Sequence, residues 1–345
     1  MKKMLALLLA LVMVLSLAAC ASSQPAAAST ETAETTETTE PAAEESAEAP
    51  AESGKTYTVG VCQLVQHEAL DAATQGFIDA LKEELGDAVT VDVQNASGDS
   101  VNCGTIVNGF VSKGVDLIMA NATPALTAAV SATADIPILG TSITAYGVAL
   151  DIDDFNGTVG GNVSGTSDLA DLQAQAQMIL DWFPETKTVG LLFCSAEPNS
   201  RYQIDEVRKA LEAQGVTCEE FAFTDSNDVS SVTQKAADFS DVVYIPTDNT
   251  AASNTEAIAN VLIPAGVPAI CGEEGLCRGC GVATLSISYY DLGVTTGKMA
   301  AKILKGEANI SEMPVEYTDA TPKYNASICD QLGITPLDGY EAIEG

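Results

Sequence analysis

Short apolar runs alternate with helix-like periodic segments from Thr56 onward, and the alternation occurs twice in this chain of 345 residues. The first series runs from "YTVGVCQLV" to "IPILGT", and the second from "DLQAQAQMILDWF" to "VPAICG". Val- and Ile-rich strands that alternate with helices are typical of a parallel sheet covered by helices on both faces. The sequence therefore predicts an α/β protein with two similar halves, and its length suits two domains.

The two halves align without gaps over one short stretch. Residues 116–124, "DLIMANATP", match residues 241–249, "DVVYIPTDN", so that Thr123 and Asp248 occupy corresponding positions. Ligands of open parallel sheets bind at the carboxyl ends of the strands, where helix N-termini offer free N–H groups. The alignment predicts a cleft between two sheets; the alternative is that Asp248 or Asn249 only caps the helix that follows.

The first 54 residues are predicted to be an export signal followed by a tether. "MKKMLALLLALVMVLSLAAC" has a basic start, an apolar stretch and small residues before Cys20, which is typical of a signal peptide rather than a membrane span. "LAAC" resembles the bacterial lipobox, which implies that a lipid on Cys20 anchors the protein; an ordinary cleaved signal is the alternative. Residues 21–54 are mostly Ala, Ser, Thr, Glu and Pro without aromatics, so we expect a disordered tether.

The acidity of the chain extends beyond this tether. The formal net charge is −33, and all charges of the tether are its eight glutamates. Without these and without Lys2 and Lys3, 40 acidic and 13 basic residues remain, a net charge of −27. This charge argues against nucleic-acid binding and against electrostatic adhesion to anionic lipid.

Cysteine usage leaves two interpretations open. An even number in an exported protein permits disulfides, but Cys62, Cys194 and Cys271 fall in strand-like runs, where cysteine packs as a small hydrophobic residue. We therefore expect free thiols, which fit an anaerobic habitat. Cys271, Cys277 and Cys280 form a C-x5-C-x2-C pattern, a weak metal or thiol signal without a clear fourth ligand, and no metal or cofactor is predicted. The eight cysteines beyond the predicted signal are Cys62, Cys103, Cys194, Cys218, Cys271, Cys277, Cys280 and Cys329.

The sequence offers little that catalysis requires. His67 is the only histidine, so any Ser/His or Cys/His pair would depend on it. No nucleophile-elbow or phosphate-loop glycine pattern occurs. We therefore expect a binding protein and not an enzyme.

Seven stretches spread in order over most of the chain form a specific combination. They are "VGVCQLVQHEALDAATQGFIDALKE", "DVQNASGD", "VDLIMANATPA", "NVSGTSDL", "VYIPTDNTAAS", "GEEG" and "ATLSISYYDLGVTTGKMAAKILKG". Together they resemble the substrate-binding lipoproteins of ABC importers, in the group typified by the tryptophan/tyrosine-binding proteins. The resemblance covers residues 57–345 and implies the type I periplasmic-binding-protein fold, with two Rossmann-like lobes, three crossings between them and a ligand clamped in the cleft. With the tail pattern, we expect an N-terminal lobe of residues 55–164 plus 289–313 and a C-terminal lobe of residues 165–288 plus 314–345.

The resemblance also implies which residues face the ligand, all of them at predicted strand ends. Where relatives often carry Thr/Ser-Asp-Pro after the fourth strand, this chain has "TAYG", which leaves the exact ligand open. Tyr146, Tyr202 and Tyr289 are candidates for stacking on an aromatic ligand, whereas Trp182 and Tyr244 are predicted core residues. The implied ligand-facing residues are Gln63, His67, Thr123, Pro124, Thr141, Ser142, Ser195, Asn199, Thr247, Asp248, Asn249 and Glu273.

For an amino-acid ligand, each charged group needs a partner. Thr123 and the N–H groups after it suit the carboxylate. Asp248 is the predicted ammonium partner, with Glu273 second, while Thr247 and Asn249 fix the orientation. The resemblance thus implies a monomer anchored at the extracellular face of the membrane, which delivers an aromatic amino acid to an ABC permease and its ATPase. A sugar or nucleoside ligand, or a role in a sensor, remains open.

Overall fold

The computed structural model describes residues 55–343, which belong to one compact unit. The predicted signal peptide, Cys20 and the tether lie outside the described residues. Among the described helices, none combines the length and apolarity needed to cross a membrane.

The elements alternate along the chain as predicted, with strands and helices succeeding one another through both halves. The strands are β1 Tyr57–Gln63, β2 Val89–Asn95, β3 Leu117–Asn121, β4 Ile138–Ile143, β5 Val163–Ser167, β6 Thr188–Cys194, β7 Thr217–Phe223, β8 Val242–Ile245, β9 Ala269–Cys271, β10 Ala283–Ser286, β11 Glu316–Tyr317, β12 Thr321–Tyr324 and β13 Glu341–Ala342. The helices are α1 Glu68–Leu85, α2 Ser100–Lys113, α3 Thr123–Ala132, α4 Tyr146–Ala149, α5 Leu172–Trp182, α6 Pro198–Glu212, α7 Val229–Phe239, α8 Asn249–Ala252, α9 Thr255–Ala265, α10 Glu274–Cys280, α11 Tyr289–Lys305 and α12 Ala326–Leu332.

Two sheets organise these elements, and we call each sheet with its covering helices a lobe. The first sheet has the order β11-β5-β4-β3-β1-β2, and its pairs are parallel. The second has the order β13-β12-β10-β9-β8-β6-β7 and is parallel except between β10 and β12. Strands β3 and β4 are buried along their whole length, as expected for a sheet covered on both faces.

The repeat seen in the sequence has a structural counterpart at the amino ends of the strands. Asp116 precedes β3, and its Oδ2 accepts a hydrogen bond from the Thr58 N–H at 2.7 Å. Asp241 precedes β8, and its Oδ2 accepts from the N–H groups of Lys187 at 2.8 Å and Thr188 at 2.9 Å. In each lobe the matched aspartate therefore ties the start of one strand to the start of its neighbour.

The chain passes between the sheets three times, at residues 168–171, 287–288 and 318–320. Strand β5 pairs with β4 through Ser167, three residues beyond the expected lobe boundary at 164/165. Strand β11 pairs with β5, so residues 316–317 also belong to the first sheet. The sequence of β5, "VSGTS", contains a single large apolar residue, so it lacks the alternation that indicates a strand. The expected assignment of residues to domains otherwise stays a prediction.

Three local features are not evident from the sequence pattern. The periodic stretch "TAASNTEAIANVLIPAG" forms two helices, α8 and α9, because the Asn254 side chain donates to the Thr250 carbonyl at 2.7 Å and turns the chain. A short helix, α10, occupies "EGLCRGC", where two glycines obscure the helical pattern. The tail contributes three short strands, β11 to β13.

Candidate ligand-binding cleft

The carboxyl ends of the strands in the two lobes face one another across a cleft. A cavity of about 320 Å³ is lined by residues from both sides, among them Val65 and Pro124 of the first lobe and Glu197 and Thr250 of the second. A second cavity of about 450 Å³ lies between the first turn of α1 and the start of α10. These volumes lie in the range of small-molecule sites.

Gln63, at the end of β1, is buried and fully engaged within the first lobe. Its Nε2 donates to the Asp71 carboxylate at 2.7 Å and to the Val65 carbonyl at 2.9 Å. Its Oε1 accepts from the Thr74 hydroxyl at 2.6 Å. The side chain therefore holds the loop after β1 and the first turns of α1 in place.

Two residues of the first lobe have strained backbones at neighbouring strand ends. Ala122 precedes α3 with φ 87° and ψ 155°, a region that favours glycine, and Ser142 near the end of β4 has φ 55°. Such conformations cost about 1–3 kcal/mol each and are found at functional sites. This backbone places Thr123, which is buried, and Pro124 at the start of α3. Pro124 has no N–H, and the N–H groups of Ala125 and Leu126 both donate to the Ala122 carbonyl at 3.1 Å.

Thr141 and Ser142 are neighbours with different surroundings. The Thr141 hydroxyl lies 3.1 Å from that of Thr166, which in turn lies 2.9 Å from the Thr296 hydroxyl of α11. The Ser142 hydroxyl is buried and has no hydrogen-bond partner among residues 55–343. Thr141 therefore takes part in packing α11 onto the sheet, while Ser142 retains its hydrogen-bonding capacity.

Asp248 begins α8 as its N-cap and is buried. Its Oδ1 accepts from the Ala251 N–H at 2.8 Å, and its Oδ2 from the Cys194 N–H at 2.6 Å. Burial and the nearby charge of Glu197 raise the pKa of Asp248 well above its ordinary value. The capping role is present, and its predicted contact with an ammonium group stays a prediction.

Glu197, which sequence reasoning missed, organises the second-lobe side of the cleft. Its Oε2 accepts from the Asn249 N–H at 3.0 Å and from the Asn249 side chain at 2.6 Å. Its Oε1 accepts from the Thr250 N–H at 2.9 Å and hydroxyl at 2.8 Å. The available signal was its position in "SAEPNS", two residues before Asn199 and at the start of a helix.

The other predicted residues of the second lobe lie around this carboxylate. Asn199 donates to the Thr247 carbonyl at 3.0 Å, but its buried Oδ1 has no partner among residues 55–343. The Thr247 hydroxyl donates to the Gly272 carbonyl at 3.3 Å, which joins the ends of β8 and β9. Ser195 is exposed and donates to the Phe223 carbonyl at 3.2 Å.

His67 joins the lobes across the cleft. Its Nε2 lies 3.3 Å from the Asn249 Oδ1, and burial lowers the pKa of the imidazole, which favours the neutral form. One residue further on, Glu68 of the first lobe forms an ion pair with Arg278 of α10. Both contacts require the two lobes to be close together at these positions.

Acidic side chains gather where the chain crosses between the lobes. Glu273 is the N-cap of α10, and its oxygens accept from the N–H groups of Gly275 at 2.6 Å and Leu276 at 2.5 Å. Burial, with the charges of Glu68 and Asp168, raises the pKa of Glu273 to about 7. Burial also raises the pKa of Asp168 to about 6. Asp168 lies in the stretch "NVSGTSDL", and no sequence pattern predicted a role for its side chain.

The aromatic predictions divide by burial. Trp182 and Tyr244 are buried core residues, as predicted, and the Tyr244 hydroxyl donates to Gln175 at 2.5 Å. Tyr146 is also buried, and its hydroxyl donates to the Thr166 carbonyl at 3.2 Å, so its polar end is engaged inside the first lobe. Tyr202 is half-buried and lines a separate cavity of about 500 Å³ with Tyr146.

The eight cysteines of the described chain are unbonded, and all except Cys218 are buried. Burial raises the pKa of Cys194 and of Cys277, as it does for a thiol packed in apolar surroundings. Within residues 55–343, no group of three or more His, Cys, Asp and Glu side chains has the geometry to hold a metal ion.

Comparison with known proteins identifies the family to which this protein belongs. A family model described as ABC transporter substrate binding protein matches residues 58–339. The chain belongs to this family. The predicted fold class is confirmed: two mostly parallel sheets match the type I periplasmic-binding-protein fold. The family match also confirms the predicted role in extracytoplasmic solute binding for transport.

Relatives of this substrate-binding protein include a tyrosine-binding protein of Clostridioides difficile (strain R20291), which is 33% identical over 276 residues, 78% of this chain and 79% of the relative. A solved structure of an ABC domain in complex with L-Trp from Streptococcus pneumoniae is 32% identical, with a TM-score of 0.79 over 84% of this chain and 100% of that one.

The ligand-free, open structure of a substrate-binding protein with adhesive properties from Clostridium difficile is 33% identical, with a TM-score of 0.64 over 84% of this chain and 99% of that one. Sequence identity and coverage barely differ from those of the L-Trp complex, yet the TM-score is lower by 0.15. Residues 55–343 are therefore more similar in structure to the ligand-bound relative than to the open one, and His67 and Glu68 contact the second lobe across the cleft.

Proposed function

We propose that this substrate-binding protein captures an aromatic L-amino acid between its lobes and delivers it to an ABC permease. A lipid on Cys20 holds the protein at the extracellular face of the membrane, and the protein acts as a monomer without catalysing a reaction. The lipobox-like "LAAC" supports the anchor, and the names of the relatives, a tyrosine-binding protein and a complex with L-Trp, support the ligand class.

The observation that carries this proposal is the presence of unpaired buried polar atoms near the carboxyl ends of strands in both lobes. The Ser142 Oγ of the first lobe and the Asn199 Oδ1 of the second have no hydrogen-bond partner within residues 55–343. Buried polar groups are nearly always paired, because leaving one unpaired costs about 1–3 kcal/mol. A polar solute that contacts both lobes satisfies both atoms and stabilises the closed arrangement.

The two charged ends of an amino acid suit different parts of this cleft. Thr123, the buried first residue of α3, suits the carboxylate. The acidic residues near the crossings suit the ammonium group. Glu273 lines the cavity beside α10, and its carboxyl group lies near the charges of Glu68 and Asp168, so a positively charged group is favoured there over a neutral sugar.

The experiment is a ligand screen on residues 55–345 after unfolding and refolding to remove any co-purified solute. Thermal unfolding is followed with the aromatic amino acids, other amino acids, sugars and nucleosides, and each hit is checked by calorimetry. A ligand at a hundredfold above its Kd adds about 2.7 kcal/mol to the free energy of unfolding, which raises Tm by several degrees. Stabilisation by aromatic amino acids supports the proposal, whereas stabilisation only by sugars or nucleosides, or by no solute tested, contradicts it.

A further inference from the structure

Asp168 is the first residue after β5, where the chain first leaves the first lobe. Its N–H donates to the Ile143 carbonyl at 3.2 Å, which fixes the backbone beside the end of β4. The residue is only 4% exposed. A carboxylate is therefore buried on a segment that connects the two lobes.

The two oxygens of Asp168 differ in their partners. Oδ2 accepts from the Tyr289 hydroxyl at 2.9 Å, and Tyr289 begins α11 directly after the second crossing. Oδ1 is buried and has no hydrogen bond of ordinary geometry among residues 55–343; the Thr144 hydroxyl lies near the carboxylate and favours its ionised form. A buried carboxylate oxygen without a well-placed donor is costly, so a donor or a cation from outside the described chain stabilises it.

Three other buried acids of the protein are already satisfied by hydrogen bonds within the described residues. Both oxygens of Glu273 accept helix N–H groups, and so do both oxygens of Asp248 from Ala251 and Cys194. The carboxylate of Glu197 accepts from the backbone and side chains of Asn249 and Thr250. Asp168 is thus the one of these four acids with an oxygen that has no partner.

The cationic side chains close to this region pair with other acids. Arg278 contacts Glu68 and Glu274, and Lys323 contacts Glu274 at 2.7 Å. Glu273 lies close enough to Asp168 for the two charges to repel. A positive group of a ligand therefore gains more here than at a carboxylate whose charge an internal cation already balances.

We propose that Asp168 binds the ammonium group of the amino-acid ligand through Oδ1, and that the Tyr289 hydroxyl positions the carboxylate for this contact. The inference rests on the proposed amino-acid function and assigns its charge-pairing residue. Asp168 lies on the first crossing and Tyr289 directly follows the second, so the ammonium contact acts where the two lobes are joined and favours the arrangement in which those segments are close.

The test separates recognition of the ammonium group from binding in general. Calorimetry compares L-tyrosine with 3-(4-hydroxyphenyl)propanoate, and L-tryptophan with indole-3-propanoate, which lack only the amino group. Wild-type protein is expected to prefer the amino acids. Asp168→Asn is expected to weaken amino-acid binding about 100-fold, as for loss of one partner of a buried charge pair, and to change binding of the analogues by less than about threefold.

Three further variants make the outcome specific. Tyr289→Phe keeps the carboxylate, so it is expected to weaken amino-acid binding less than about tenfold while retaining the preference for the amino acid. Asp248→Asn is expected to lower Tm but to retain the preference, because Asp248 bonds two backbone N–H groups. Asp330→Asn, the same change at an exposed position of α12, is the matched control and is expected to behave as wild type.

The possible results are distinguishable. If wild-type protein binds none of the four compounds, the proposed function itself is wrong. If wild type prefers the amino acids and Asp168→Asn keeps that preference, the function stands and the assignment of Asp168 is overturned. Thermal unfolding of each variant checks folding first, and Asp168→Ser replaces Asp168→Asn if the latter does not fold.

Discussion

Two buried carboxyl groups give the cleft its electrostatic character at the scale of single residues. Burial raises the pKa of Asp168 to about 6, and burial together with the charges of Glu68 and Asp168 raises the pKa of Glu273 to about 7. The neighbouring Tyr289 hydroxyl donates to Asp168. Burial, with the charges of Asp168 and Glu273, raises the pKa of Tyr289. A cationic ligand reverses these effects, because it favours the ionised form of each carboxyl group.

The raised pKa of Glu273 predicts how the stability of the ligand-free protein depends on pH. In the folded state the carboxyl group of Glu273 stays protonated up to about pH 7, whereas its ordinary pKa is 4.5. Unfolding between these two pH values therefore releases a proton. The contribution of Glu273 to the free energy of unfolding therefore falls by about 3 kcal/mol as pH rises from 4.5 to 7. Urea unfolding of wild type and Glu273→Gln at pH 5 and pH 7.5 measures this difference.

The control for this prediction is Glu212→Gln, a change at an exposed position of α6. It is expected to leave the pH dependence of wild type unchanged. Glu273→Gln keeps one oxygen to cap α10 and is expected to be more stable, relative to wild type, at pH 7.5 than at pH 5. If the stability difference between wild type and Glu273→Gln is the same at both pH values, the pKa of Glu273 is the same in the folded and unfolded states, and the prediction is wrong.

Sequence reasoning at this scale located strand ends but not hydrogen-bond partners. It named Ser142 and Asn199, whose unpaired atoms face no internal partner, together with Gln63, whose polar atoms are all engaged within the first lobe. It missed Glu197, since the donors that this carboxylate meets come from a segment 52 residues away. Such pairings depend on how two loops approach, and no local pattern encodes that distance.

Helix α11 packs closely on α1, and this packing positions the second crossing, which directly precedes α11. A Cβ on Gly293 would lie 2.0 Å from the Ala73 carbonyl oxygen, and a Cβ on Gly76 would lie 2.1 Å from the Tyr290 carbonyl oxygen. Glycine at both positions allows the two helix backbones to approach. This approach fixes Tyr289, at the start of α11, beside the crossing segment that carries Asp168.

Gly293→Ala is therefore expected to lower the free energy of unfolding by about 1–3 kcal/mol, because the backbone contacted by the new methyl group must shift. Chemical unfolding measures the change. Gly104→Ala in α2 is the matched control: nothing lies within 4 Å of its Cβ position, so this variant is expected to gain about 0.5–1 kcal/mol. If both variants shift stability equally, the helices do not pack this closely.

Elements with strong periodicity were predictable, whereas short ones were not. Helices α1 and α11 carry long amphipathic patterns, and both were predicted within a few residues. Strands β11 and β13 have two residues each, too few for any alternation to register. Their existence depends on pairing with β5 and β12, which only the tertiary fold supplies.

Contacts across the mouth of the cleft hold the two lobes close together. The Glu68–Arg278 ion pair and the His67–Asn249 contact each join the first lobe to the second. Two similar halves and a cleft between them followed from the alternation and repeat in the sequence. The relative position of the lobes did not, because a rotation about three short crossings changes no local pattern.

Arg278→Ala is expected to shift the protein toward an open arrangement and to weaken ligand binding two- to fivefold, because a partly exposed ion pair contributes about 0.2–1 kcal/mol and affinity scales with the closed fraction. Small-angle scattering without ligand should show a larger radius of gyration than wild type, and saturating L-tyrosine should remove the difference. Arg201→Ala is the matched control, since Arg201 pairs with Asp205 and Glu220 within the second lobe. Equal radii for the two variants without ligand would mean that Arg278 does not hold the lobes together, and closure would then depend on the ligand and the crossings alone.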